Sequence, residues 1–301
     1  MPPLARRNGR WQEGGSLRNL GRALMLPTFV VIGAPKCGTT SLHRYLAAHP
    51  EVFMSEPKEL DFFVRDRGWR RGAAWYAERF AAAGAARARG ESSPGYTLHP
   101  HWPSMPDRMA ALLPDARLVY LVRDPVDRAI SHFANSWRRG DERRPVVRAL
   151  RENRLYVDGS RYAFQIERYL EHFPRERILI LRAEDLLEDR RATVRRVLRF
   201  IGVEGSWTAP DLDQLHNTSA GQSGGLRWAV RLRRSPAYRR VRHLLPARLR
   251  REITRLITRQ LPPGALEVPA EIREELRTEL ADDIARFRAI AGEEVGEWRP
   301  A

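Results

Sequence analysis

The stretch TFVVIGAPKCGTTSLHRYL, residues 28–46, constrains the fold more than any other segment of the chain. TFVVIG is a short apolar run closed by Gly33, the pattern of a strand buried on both faces, as found in parallel sheets. Leu42, Tyr45 and Leu46 then recur at helical spacing, and Pro50 follows, so a helix begins within a few residues of the strand. The junction GAPKCGTTS (33–41) is small and rich in hydroxyls, with glycine at 33 and 38. Such a junction favours an anion, because the first N–H groups of a helix lack partners within it and carry the positive end of its dipole. Gly33 and Gly38 stand at the separation of a Walker A loop, G-x-x-x-x-G-K-[ST]. Thr39 holds the lysine position, however, and the lysine lies inside the loop at 36, which argues against an ATPase or kinase.

Strand and helix patterns alternate downstream. ARARGES (86–92) reads as a strand leading into SSPGY, and RMAALLP (108–114) as a helix stopped by Pro114. ARLVYLVRDP (116–125) is the strongest internal strand, and PVDRAISHFANSW (125–137) a helix with Pro125 in its first turn. YAFQIERYLEHFP (162–174) is helical, RILILRAEDL (177–186) a strand and turn, and RRATVRRVLRFIG (190–202) a helix closed by Gly202. The expected fold is α/β, three layers with a parallel sheet flanked by helices on both faces. Residues 1–26, rich in Gly and Arg without periodicity, read as a mobile N-terminal arm. Residues 27–301 read as one domain with a C-terminal helical flank at 226–301, in which 271–292 form a terminal helix; 207–225 read as a loop.

The net charge is +16 over 301 residues and is almost wholly arginine; the only lysines are Lys36 and Lys58. A planar guanidinium fork and a compact ammonium are not equivalent beside a reacting oxygen, so lysine in so arginine-rich a chain points to a point charge at work. The excess charge suits phosphates, nucleic acid or an anionic membrane surface. Without a helix-turn-helix, zinc or stacking motif, no specific nucleic-acid partner is expected. The basic stretch at 226–260 reads as a helical flank with solvated arginines, with peripheral membrane contact as its alternative. The single cysteine, Cys37, excludes an intramolecular disulfide and a multi-cysteine metal cage. With no run of about 18 apolar residues and no signal-like segment, a cytoplasmic location is expected.

Four motifs together carry a resemblance. PKCGTT (35–40) has the form P-K-x-G-T-T. In YLVRDPVDRAISHF (120–133) an arginine follows a strand, with a serine eight residues on, at Arg123 and Ser131. EPKELDFF (56–63) is a glutamate-aromatic segment, and Gly159 with Tyr162 forms G-x-x-Y. On these motifs the chain resembles the PAPS-dependent sulfotransferases, closer to the carbohydrate, heparan-type and bacterial members; PAPS is 3′-phosphoadenosine-5′-phosphosulfate. The resemblance implies the P-loop-like sulfotransferase fold, PAPS as sulfuryl donor and no metal. It implies that Lys36 is the transition-state cation and that Lys36, Cys37, Gly38, Thr39, Thr40 and Ser41 form the 5′-phosphosulfate loop. Arg123 and Ser131 would hold the 3′-phosphate, with Tyr162 near the nucleotide. Glu59 is the implied base, with Glu56, Asp61, His99, His101 and His132 as competitors. Arg123 could instead pair with Asp124 or Asp127, and Tyr162 could be core packing. Ser92 stands where some glycosaminoglycan-modifying members carry lysine, which sets this acceptor side apart from theirs. The expected acceptor is a hydroxyl or amine on a carbohydrate, glycolipid or natural product. A small-molecule kinase and a non-catalytic nucleotide- or nucleic-acid-binding protein are the rival readings.

Overall fold

The computed structural model describes residues 24–64, 68–203, 267–292, 295 and 298. Five strands form one sheet: β1 (Phe29–Gly33), β2 (Val52–Met54), β3 (Ala88–Ser92), β4 (Arg117–Val122) and β5 (Ile178–Arg182). Their order is β2-β3-β1-β4-β5, and every pairing is parallel. All five residues of β1 are buried, as a strand covered on both faces requires. From β1 the chain goes out to the edge strand β2 and returns to β3, between β2 and β1; after β3 it crosses to the other side of β1 and builds β4 and β5. The direction of winding therefore reverses between β1 and β4, which pair with Val31 opposite Val119. Loops leaving adjacent strands diverge at such a point and open a crevice beyond the strand ends. Both phosphate-like motifs leave from these two strands.

Helices cover the sheet: α1 (Thr39–Ala47), α2 (Gly72–Glu78), α3 (Met105–Leu112), α4 (Pro125–Arg138), α5 (Val146–Glu152), α6 (Arg154–Asp158), α7 (Tyr162–Leu170), α8 (Ala183–Glu188), α9 (Arg190–Phe200) and α10 (Ala270–Ala291). The α/β architecture expected from the sequence is present. The long C-terminal helix α10 crosses back to the site-bearing helices: both Asp283 carboxylate oxygens accept first-turn N–H groups of α7, from Ala163 and Phe164 at 3.0 Å each. This satisfies orphan donors that no α7 side chain caps.

Several elements differ from the sequence reading. Among the described residues before 27, Leu26 already packs on the core: it is buried, and its carbonyl accepts Arg89 Nε–H at 3.0 Å. The edge strand β2 is three residues long, too short to give a periodic signal. Residues 183–188 form a helix where a turn was expected, and α2, α5 and α6 each last two turns or fewer, supported by packing rather than by pattern. The loop at 207–225 and the basic stretch at 226–260 lie outside the described residues.

Candidate active site

The loop after β1 is fixed at both ends. Ala34 N–H donates to Leu121 O of β4 at 2.6 Å, and the Gly38 carbonyl accepts Ser41 and Leu42 N–H at 3.0 and 3.1 Å. Gly38 has φ +83°, in the left-handed region where a Cβ is strained, and it caps α1. At Gly33 a Cβ would collide with the Thr97 side chain, so close backbone approach also requires glycine there. Among the described residues, the N–H groups of Lys36, Gly38, Thr39 and Thr40 have no acceptor. Four clustered donors at a helix N-terminus, in a turn where Lys36 itself has φ +75°, form a cradle for an anion's oxygens.

That cradle forms one wall of a cleft of about 710 Å³. The cleft brings together Lys36, Gly38, Thr39, Thr40, Ser41, Glu59, Arg123 and Ser131, from three separate segments of chain. Burial lowers the pKa of Lys36, and the charges of Arg138 and Arg123 lower it further, while Cys37 and Glu59 act the other way. An ammonium so placed gains from a negative neighbour. Arg123 makes a loose ion pair with Asp127, at 3.7 Å, and Asp127 is also held by Arg273 at 3.0 Å. Asp124 is occupied otherwise: its carboxylate caps α4 by accepting Asp127 N–H at 2.8 Å. Of the two partners considered for Arg123, only Asp127 is in place.

Cys37 and Tyr162 do not reach the cleft. Both are fully buried behind its wall. The Tyr162 hydroxyl donates to Arg123 O at 3.0 Å, accepts Arg123 N–H at 3.4 Å and lies 3.9 Å from Cys37 Sγ. Burial pushes the Cys37 thiol up to about 11, so it is held neutral. Their side chains therefore brace the β1–α1 loop against the β4–α4 junction, a framework role beside the nucleotide-binding role that the resemblance implies for them. Tyr162 belongs to the packed core and to the site's framework at once.

The cleft also carries carboxylates. Glu59 pairs with Lys58 at 2.6 Å, and its own N–H donates to Ser92 O at 3.1 Å. Asp61 also lines the cleft; burial raises its pKa, helped by the charge of Glu59. Glu59 and Asp61 both have positive φ, +65° and +50°, which costs about 1 kcal/mol or more each unless the surroundings hold them. His132 reaches the cleft, but burial and Arg128 hold it neutral, with Nδ1 3.3 Å from Arg128 Nη1. Glu56, His99 and His101 are not in the wall. Asn135 and Arg138 are, and the sequence reading missed them. They lie four and seven residues after Ser131, so helical spacing from that serine was the signal available. The Arg138 guanidinium has no ion pair among the described residues.

The fold and the cleft define an α/β protein with a cradle suited to an anion at the switch point of its sheet and with the carboxylates of Glu59 and Asp61 in the same cleft. Comparison with known proteins gives the family. The sulfotransferase domain model matches residues 26–221, and the chain belongs to that family. It is 31% identical over 200 residues to the human bifunctional heparan sulfate N-deacetylase/N-sulfotransferase 3, covering 59% of this chain and 22% of that protein. It is 32% identical over 192 residues to the mouse heparan sulfate glucosamine 3-O-sulfotransferase 3B1, covering 60% and 47%. The chain thus spans less than half the length of these curated relatives. The crystal structure of a sulfotransferase from Alicyclobacillus acidocaldarius superposes with a TM-score of 0.66 at 26% identity, over 91% of this chain and 99% of that one.

Proposed function

We propose that this protein transfers a sulfuryl group from PAPS to a hydroxyl or amine of a carbohydrate, glycolipid or natural-product acceptor. The observation that carries the reading is one cleft that brings together four unpartnered loop N–H groups, Lys36, Arg123, Glu59 and Asp61. The residues present fit the donor. The N–H groups and hydroxyls at 38–41 suit a 5′-phosphosulfate, and Arg123 with Ser131 suits a 3′-phosphate, for which a guanidinium offers a bidentate fork. When bound, the donor supplies an activated sulfuryl group whose leaving group is adenosine 3′,5′-bisphosphate.

Lys36 gives a positive charge beside the oxygens on which negative charge accumulates, stabilising the transition state more than the ground state. Its burial and cationic neighbours make that response stronger than it would be in water. Glu59 takes the acceptor proton, with Lys58 fixing its carboxylate. Asp61, beside it in the cleft wall, is the alternative base. A cytoplasmic setting belongs to the same proposal and rests on the one free, buried thiol, Cys37. The kinase reading loses its central residue, since Thr39 occupies the Walker lysine position.

Calorimetry with adenosine 3′,5′-bisphosphate, beside ATP with Mg²⁺, tests the donor. Selective binding of the bisphosphate is expected, weakened roughly tenfold or more in Arg123→Ala by loss of a charge-assisted contact. Preference for ATP, or binding of neither, would place the kinase or non-catalytic reading first.

A further inference from the structure

The acceptor wall hangs from a buried carboxylate that does not itself reach the cleft. Glu91, in β3, is fully buried. Its Oε1 accepts the Tyr76 and Tyr96 hydroxyls, at 2.5 and 2.8 Å, and its Oε2 accepts the Ser93 hydroxyl at 2.9 Å. Each hydroxyl has one proton to give. Having given it to Glu91, Ser93 Oγ presents lone pairs to Asp61 N–H at 3.1 Å, and Tyr96 OH does the same for Phe63 N–H at 3.4 Å. The two tyrosine rings also clasp the aromatic pair that follows Asp61. Phe62 stacks on Tyr76 with centroids 4.2 Å apart, and Phe63 meets Tyr96 edge-on at 5.5 Å.

We propose that Glu91 is a positioning residue for sulfuryl transfer: by fixing the hydroxyl directions of Ser93 and Tyr96, it holds the segment 59–63, with its positive-φ carboxylate residues Glu59 and Asp61, in register with the cleft. The inference rests on the transfer reading given above. It explains why a carboxylate is buried in an inner strand of the sheet. A neutral amide has one acceptor oxygen and cannot receive three hydroxyl protons on both of its terminal atoms. Burial pushes the Glu91 carboxyl up to about 7 against the pull of its three donors, so the charged form is costly to fold around. Stability alone would be served as well by an apolar side chain of the same volume. The arrangement fits a group kept for the geometry it imposes on its neighbours.

Glu91→Gln keeps the volume but turns one acceptor into a donor, so at least one hydroxyl must reorient. Hydrogen exchange at Asp61 and Phe63 should quicken about tenfold in this variant, the loss expected when a buried hydrogen bond is weakened; amides of β1 and β4 should be unchanged. With PAPS and a glucosamine oligosaccharide, which offers both amine and hydroxyls, kcat/KM for the acceptor should fall roughly tenfold or more while bisphosphate affinity stays within about twofold. Ser93→Ala, which leaves Glu91 in place and removes the Asp61 anchor, should show the same split. The double variant should be no worse than the worse single one, because both act on one network. Wild-type exchange at Asp61 and Phe63 in Glu91→Gln would overturn the proposal. So would equal loss of donor and acceptor affinity. If Glu91→Gln does not fold, Ser93→Ala and Tyr96→Phe carry the same readouts. Wild-type protein that neither binds the bisphosphate nor transfers sulfate would defeat the transfer reading instead, with the exchange result still deciding the link from Glu91 to the segment.

Discussion

The donor wall of the cleft is made from chain that is contiguous in sequence: a strand end, a glycine turn and the first turn of a helix, used at β1–α1 and with variation at β4–α4. Its binding groups are backbone N–H donors and cations, placed by secondary structure itself. The acceptor wall is different. Segment 56–63 is irregular, Glu59 and Asp61 adopt positive φ, and its anchors come from residues 92, 93 and 96, the hydroxyls of the last two bonded to Glu91. The donor wall is thus built by local geometry and the acceptor wall by long-range hydrogen bonding. A local device can recur wherever strand meets helix; a long-range one can be retuned without disturbing the donor.

Perturbations of the two walls should separate accordingly, and the largest effect belongs to the donor wall. Lys36→Ala should lower kcat by roughly 10²–10³-fold, the cost of removing one transition-state charge partner, while part of the bisphosphate affinity remains. Unchanged turnover would remove Lys36 from the chemistry. On the acceptor wall, Glu59→Gln should lower kcat about a hundredfold, as loss of a general base does, with nucleotide affinity within about twofold. A larger loss in Asp61→Asn than in Glu59→Gln would transfer the base role to Asp61. Tyr162→Phe removes the hydroxyl that bridges Arg123 and should weaken bisphosphate binding about threefold to tenfold, the worth of one ordinary hydrogen bond. Undiminished binding would show that the backbone alone holds the junction.

A further effect is thermal. Glu91 has its folded pKa raised to about 7, so the folded protein holds this proton more tightly than the unfolded chain. Stability from this group is fully present below the ordinary carboxylate range and is lost as pH rises through about 7. The loss is roughly 3 kcal/mol for a shift of this size. The wild-type melting temperature should therefore drop by several degrees more between pH 5 and pH 8 than that of Glu91→Gln. Parallel pH curves would mean that Glu91 does not titrate in this range.

Much of the donor wall was legible in the sequence because its determinants are local. TFVVIG followed by GAPKCGTTS states strand, turn and helix in order, and Arg123 and Ser131 are set by one strand end and two turns of one helix. Residues that act through others were not legible. Cys37 and Tyr162 sat inside recognisable motifs, yet the fold buries both behind the wall, where the Tyr162 hydroxyl at the start of α7 meets the β4–α4 junction. Arg138 needed only helical spacing from Ser131 to be found.

The sequence by itself determined the parallel α/β class, the anion loop and the family, since strand burial, glycine turns and helix starts are written in runs of adjacent residues. Only the tertiary structure decided that the two phosphate-like junctions meet, because β1 and β4 become neighbours through pairing across about ninety residues of chain. It alone also decided that the carboxylates share a cleft with the cation. The 56–63 turn has no conformation of its own to impose, and its strained backbone is held by hydrogen bonds and ring contacts from residues brought near by the sheet.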